Sequence, residues 1–188
     1  VSEVGRAILA AASITAASVG QRHQYLLGSM HSAVITNDEA LAREIIRRCN
    51  DEGLDFSEIE KKDEDGYTPL HYACMLRNYN IIHLLHDASA NVHITDDRGW
   101  SSIHWACMQL DAQALQILCT HVFDVDDIDN EGRSALYLAC VEGRDKKGKF
   151  DESGLCKCID ILIERQCDVN FSDKLGRTVV HHLAANWQ

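Results

Sequence analysis

With 188 residues, 46% of them apolar and 25% charged, the chain is large enough to bury a core and ordinary for a globular protein. Eighteen basic against 29 acidic residues leave a formal net charge of −11. That balance repels a phosphate backbone, so nucleic acid is not expected as a partner and a basic peptide is easier to accommodate.

Residues 1–28 are Ala-rich and read as helical, as either a worn-down repeat unit or a linker helix. Their apolar stretch, 7–19, is too short and too rich in Ser and Thr to span a bilayer. It also lacks the basic flank and compact apolar run of a secretory signal, so no membrane insertion is expected and the setting reads as reducing, cytoplasmic or nuclear. The missing initiator Met at Val1 suggests a piece cut from a multidomain protein.

Residues 29–62 carry two helical patterns, Met30-His31-Ser32-Ala33 and then Asn37 through Ile46, followed by an acidic loop over 55–65. From 63 onward a period emerges. Gly66, Gly99, Gly132 and Gly176 lie 33, 33 and 44 residues apart, the last interval being one period with eleven extra residues. Each opens a related segment: Gly66-Tyr67-Thr68-Pro69-Leu70-His71-Tyr72-Ala73-Cys74, Gly99-Trp100-Ser101-Ser102-Ile103-His104-Trp105-Ala106-Cys107, Gly132-Arg133-Ser134-Ala135-Leu136-Tyr137-Leu138-Ala139-Cys140, and a looser Gly176-Arg177-Thr178-Val179-Val180-His181-His182-Leu183-Ala184. The glycines suit a turn that needs positive φ. Thr68, Ser101, Ser134 and Thr178 stand where a hydroxyl can cap a helix, and Pro69 occupies a first helical position. A second apolar helix follows each: Ile81, Ile82, Leu84, Leu85; then Ala114, Leu115, Ile117, Leu118; then Cys158, Ile159, Ile161, Leu162.

These segments resemble the ankyrin repeat, with its Gly-x-Thr-Pro-Leu-His-x-Ala-Ala opening at a 33-residue period. The resemblance implies an all-α repeat solenoid of helix-turn-helix units joined by β-hairpin loops. On that reading 29–62 is a degenerate capping repeat; 63–95, 96–128 and 129–172 are repeats, the last with an insertion at 145–155; and 173–188 is a partial repeat, truncated or serving as a cap. No single unit buries its apolar face alone, so stacked neighbours form the core.

The residues that look chemical fit this scheme. Cys74, Cys107 and Cys140 recur one period apart as small packing residues, and Cys156-Lys157-Cys158 lacks zinc spacing. His71, His104 and His181 share one motif position that serves hydrogen bonding between neighbours in the resembled family. Asp126-Asp127-Ile128-Asp129 lacks the rest of a calcium loop and reads as a solvated turn. With no catalytic constellation in view, neither enzyme activity, a cofactor nor a metal is expected. The insertion, with Gly148, Gly154 and the lone Phe150, reads as an exposed loop.

The resemblance implies a protein–protein interaction scaffold or adaptor that binds on a concave surface, with small GTPases, trafficking proteins or cytoskeletal components as the partner classes. The positions that vary between repeats point to Tyr67, Trp100, Arg133 and Arg177 just after each glycine, Arg98 before one, and Met75, Leu76, Met108, Gln109 and Glu142 at helix ends. Aromatic and Arg side chains are enriched in binding hot spots. The expectation is that Tyr67, Trp100, Met75 and Met108 are exposed to receive an apolar segment while Arg98 and Arg133 pair its acidic groups. Trp100→Ala should then weaken binding without unfolding the array. Alternatives are a targeting or autoinhibitory role toward an enzyme domain elsewhere in a longer chain, or an effector secreted by an intracellular bacterium.

Overall fold

The computed structural model describes residues 29–51, 57–120, 122, 124–143 and 151–186. The helix expected in 1–28, Phe150 and Trp187 lie outside them. Two compact units divide the chain at Asn91 and Val92.

In the first unit α1 (Met30–Ile35) and α2 (Glu39–Asp51) form one helical pair, and α4 (Pro69–Leu76) and α5 (Tyr79–Asp87) form the next. α1 packs on α4 and α2 on α5, so like helices pair with like. Met30, Ala33, Val34, Leu70, Ala73, Ile81, Ile82 and Leu85 are buried in this unit. Between the pairs lies α3 (Ser57–Glu60). The segment read as an acidic loop thus contains a helical turn, and it exists to bring Ile59 into the core, where that side chain is fully buried.

The second unit repeats the scheme with α6 (Ser102–Met108), α7 (Ala112–Leu118), α8 (Ala135–Tyr137, continuing as a π-helical turn Leu138–Glu142), α9 (Glu152–Glu164) and α10 (Val179–Asn186). α6 packs against α8 and its π-turn, α10 packs against that turn, and α7 packs against α9. The helix-turn-helix corners are made by left-handed residues, Asn37 at φ 54°, Arg77 at 57° and Leu110 at 52°. After each, the next residue donates to a carbonyl five back: Asp38 to Ala33, Asn78 to Ala73, Asp111 to Ala106.

The insertion differs from expectation. Glu152 to Leu155 are helical, so α9 runs 13 residues where α7 runs seven. Gly154, expected in an exposed loop, is buried: a Cβ there would sit 2.9 Å from the Leu110 carbonyl. The glycine is needed because the start of α9 rests directly on the corner between α6 and α7.

All four marker glycines adopt positive φ, between 74° and 82°. Gly99 also meets the next hairpin, since an added Cβ would lie 2.7 Å from the Asn130 amide nitrogen, whereas nothing lies within 4 Å at Gly176. Gly176→Ala therefore carries backbone strain alone, on the order of 1–2 kcal/mol, and Gly99→Ala adds a steric clash with backbone. Urea melts of the two variants should rank Gly99→Ala as the more destabilised; equal losses would remove the inter-hairpin contact from this account.

Candidate functional site

One residue recurs in every hairpin and escaped the sequence reading: an aspartate three positions before each glycine, Asp63, Asp96, Asp129 and Asp173. Its backbone closes the hairpin twice. The Asp63 amide donates to the Tyr67 carbonyl and the Gly66 amide to the Asp63 carbonyl, and the same pair recurs at Asp96, Asp129 and Asp173, all between 2.8 and 3.1 Å. Its Oδ1 then accepts two more amides, those of Asp65 and Tyr67, Arg98 and Trp100, Glu131 and Arg133, or Leu175 and Arg177. The sequence carries the signal, since each Asp keeps phase with its Gly.

The other oxygen, Oδ2, reads the first helix. Tyr72 donates its hydroxyl to Asp63 at 2.7 Å, Trp105 its Nε1–H to Asp96 at 3.3 Å, and His182 Nε2 lies 3.1 Å from Asp173. In the third repeat that helical position is Leu138, and Asp129 turns instead to Trp100 Nε1–H at 3.0 Å and Arg133 at 2.7 Å. Burial raises the Asp129 carboxyl, but the Arg133 guanidinium and the hairpin amides more than offset it and hold the group below the usual carboxylate range. Burial raises the Asp173 carboxyl too, but the Arg177 amide and guanidinium, with His182 and the Leu175 amide, together outweigh it and hold that group well below the usual range.

Arg98, Trp100, Arg133 and Glu142 do come together, though not as a docking surface. Trp100 is 3% exposed, its ring edge-on to Trp105 at 5.1 Å between centroids and flanked by the guanidinium carbons of Arg98 at 4.7 Å and Arg133 at 5.9 Å. Arg133 is tied to Asp129 at 2.7 Å, Glu142 at 2.9 Å and Glu131 at 3.3 Å, which neutralises it within the fold. Arg98 faces Asp96 at 3.6 Å. The expectation that these arginines await an acidic partner is corrected: in a chain this acidic, the nearest carboxylates are its own.

Met75, Met108 and Gln109 are buried as well, because the ends of α4 and α6 turn inward at the corner. The exposed methionine patch is therefore absent. Leu76 and Tyr67 are half-buried, and the Tyr67 ring stands edge-on to Tyr72 at 5.6 Å while its carbonyl accepts from His31 Nε2 at 3.0 Å. Arg177 is exposed and paired with Asp173 at 2.7 Å.

The residues facing solvent are the two between each Asp and Gly. Glu64, Asp65, Asp97, Asn130, Glu131, Lys174 and Leu175 are exposed, and Arg98 is half-buried. Arg98 stacks over Trp100 and Asn130 donates its side-chain amide to the Asp97 carbonyl at 2.9 Å, so within the second unit part of this row also ties one hairpin to the next.

The motif histidine couples a cap to a neighbour. The Ser101 amide donates to His104 Nδ1 at 3.1 Å, which leaves the proton on Nε2 to be donated to the Arg133 carbonyl at 3.3 Å. Thr68 and His71 make the same cap at 3.0 Å, as do Thr178 and His181 at 3.2 Å. The cysteines behave as packing residues. Burial pushes the Cys107 thiol well above its ordinary value and Cys119 and Cys140 up to about 11, which keeps them protonated and unreactive. Cys140 is only half-buried, since the π-turn swings it partly outward. Among the described residues no group of three or more His, Cys, Asp or Glu side chains has metal-binding geometry, and no helix is long and apolar enough to cross a membrane.

Two outcomes follow from this geometry. Trp100→Ala removes a buried indole and leaves Asp129 short of a donor, so it destabilises the fold by about 3–5 kcal/mol instead of sparing it; thermal melts decide, and an unchanged midpoint would refute the burial argument. Burial holds the His104 imidazole below its ordinary 6.5, so the unfolded chain takes up that proton first. The His104 contribution to stability is complete above pH ~6.5 and is lost progressively as pH falls toward the lower folded value. Urea melts between pH 7.5 and 5.5 should show a weaker loss of stability with falling pH in His104→Gln than in the parent chain.

A family model described as ankyrin repeats (three copies) matches residues 16–96 and again 78–150. No curated protein matches the chain. The family match reaches back into residues preceding the described helices and stops at 150, while the Asp–Gly hairpin and the Thr178–His181 cap carry the same geometry into the fourth copy. Well over half of the 188 residues fall within the match, and the chain belongs to the ankyrin-repeat family.

Proposed function

We propose that this chain is a scaffold or adaptor module that binds a partner protein through the exposed residues at its hairpin tips. Ankyrin repeats generally mediate protein–protein interaction and are typically non-catalytic. The observation that carries the reading is the division of labour within each hairpin. The Asp and the Gly are committed to the turn, and the pair between them is mostly exposed and changes in identity from repeat to repeat, Glu64 and Asp65 being exposed in the first of these hairpins.

In the first unit that pair is Glu64 and Asp65; in the second the tips carry Asp97, Asn130, Glu131 and Lys174. With a net charge of −11 behind them, these tips favour a partner segment bearing Lys and Arg over an acidic one. Among the family's partner classes, small GTPases, trafficking proteins and cytoskeletal proteins all remain within this reading. Cysteines used as buried packing residues support a reducing, cytoplasmic or nuclear setting.

The test separates surface from fold. In Glu64→Lys combined with Asp65→Lys the melting midpoint should stay within about 2 °C, since both side chains are exposed. Binding to proteins captured from a cell lysate should fall roughly tenfold and lose its salt dependence. An identical set of captured proteins with identical salt dependence would reject the tips as the binding row.

A further inference from the structure

The Asp63 and Asp96 hairpins each set a pair of aromatic rings on their aspartate. Trp100 stands edge-on to Trp105, 5.1 Å between centroids at 71°, and Asp96 Oδ2 accepts the Trp105 indole N–H at 3.3 Å. At the aligned positions of the preceding copy Tyr67 stands edge-on to Tyr72, 5.6 Å between centroids at 70°, and Asp63 Oδ2 accepts the Tyr72 hydroxyl at 2.7 Å. The two corners are built alike, one in each unit.

They differ in the residue two before the ring that follows the glycine. In the second unit that residue is Arg98, whose guanidinium carbon lies 4.7 Å from the Trp100 centroid and 5.1 Å from that of Trp105, with its Nε 3.6 Å from Asp96 Oδ2. A planar cation in that place gains from both rings and from the carboxylate. In the first unit the aligned residue is Asp65, an exposed carboxylate beside the exposed Glu64. The side chain that supplies the cation is exchanged for one that attracts a cation. Trp100 beneath Arg98 is 3% exposed, whereas Tyr67 is only half-buried. The first corner is also held in shape by the fold: Asp63 Oδ1 accepts the Asp65 and Tyr67 amides at 3.0 and 2.8 Å, and the Tyr67 carbonyl accepts from His31 Nε2 at 3.0 Å. Little ordering is left for a ligand to impose.

We propose that the corner formed by Tyr67 and Tyr72 binds an arginine side chain of a partner protein, in the place that Arg98 fills over Trp100 and Trp105. The proposal rests on the reading of the hairpin tips as the binding row, and it names the group that the first tip selects. The guanidinium stacks on the tyrosine rings, Asp63 serves it as Asp96 serves Arg98, and Asp65 and Glu64 on the same turn add negative charge. Lysine carries the same charge and satisfies the carboxylates, but its compact, strongly hydrated ammonium forgoes the planar stacking. An acidic side chain is repelled by all three carboxylates.

The probes are acetylated, amidated Gly-Gly-Arg-Gly-Gly and its Gly-Gly-Lys-Gly-Gly counterpart, titrated into the 188-residue chain while the tyrosine ring protons are followed by NMR. The arginine peptide should bind about two- to fivefold more tightly than the lysine peptide and should shift the Tyr67 and Tyr72 ring signals. Asp65→Arg puts a guanidinium at the position of Arg98; it should keep the melting midpoint and abolish those shifts. Tyr67→Leu should bring the two peptides to equal affinity. Equal affinity of both peptides for the parent chain, or arginine-induced ring shifts that persist in Asp65→Arg, would overturn the proposal even if Tyr67→Leu fails to fold. Where both peptides bind equally and Glu64→Lys with Asp65→Lys still releases the captured proteins, the arginine site falls and the tip reading stands. Where the arginine preference and ring shifts hold but the captured set is unchanged by that charge reversal, the corner binds arginine and the tip reading alone falls.

Discussion

A carboxylate surrounded by backbone amides at a tight turn holds this array in register. Four N–H···O contacts organise each hairpin around one aspartate, two through its backbone and two through Oδ1. That leaves Oδ2 to fix the start of the following helix or the neighbouring indole. Without the carboxylate the turn would carry unsatisfied amides at the point where the chain reverses, and the helix behind it would lose its orientation. The positive-φ glycine and the hydroxyl cap depend on that arrangement, since both act only once the turn is closed. In the second repeat the motif histidine extends it by one step, His104 taking the cap on Nδ1 and reaching the next hairpin through Nε2.

The second and third repeats show how such a turn absorbs polar side chains that would otherwise look available. Trp100 and Arg133 vary from copy to copy, and variation at a motif position invites a functional reading. Here the variation is compensated nearby. Trp105 and Tyr72 reach the aspartate from the helix; where the helix offers Leu138, Trp100 and Arg133 take that oxygen, and in the fourth repeat His182 and Arg177 share it. Charge follows the same logic, because three carboxylates converge on Arg133 and little of its charge reaches solvent.

The repeat, its turns, its caps and the packing role of the cysteines were all legible in the sequence, because each rests on local spacing: glycine for φ, hydroxyl for a helix start, apolar residues at 3.6-residue intervals. The burial of Trp100, Met75 and Met108 was not. Whether a side chain after a glycine points in or out depends on what the neighbouring repeat places beneath it, and Trp100 is buried by Asp129, 29 residues away. The short helix that buries Ile59 was missed because one apolar residue in an acidic run has no period. The end of the insertion was misread because Gly154 signals a loop by composition and a close approach by geometry, and only the position of Leu110 distinguishes the two.

That corner has a consequence for how the protein can change. Gly143 and Gly154, on either side of the extra segment, both press against Leu110, the left-handed residue that turns α6 into α7. The segment is therefore clamped at its base by a contact that belongs to the preceding repeat. A bulkier residue at either glycine would press on the same leucine, so one corner sets how closely both ends of the extra segment approach it. An ordinary helix-turn-helix corner thereby fixes the two points at which the added sequence leaves and rejoins the repeat period.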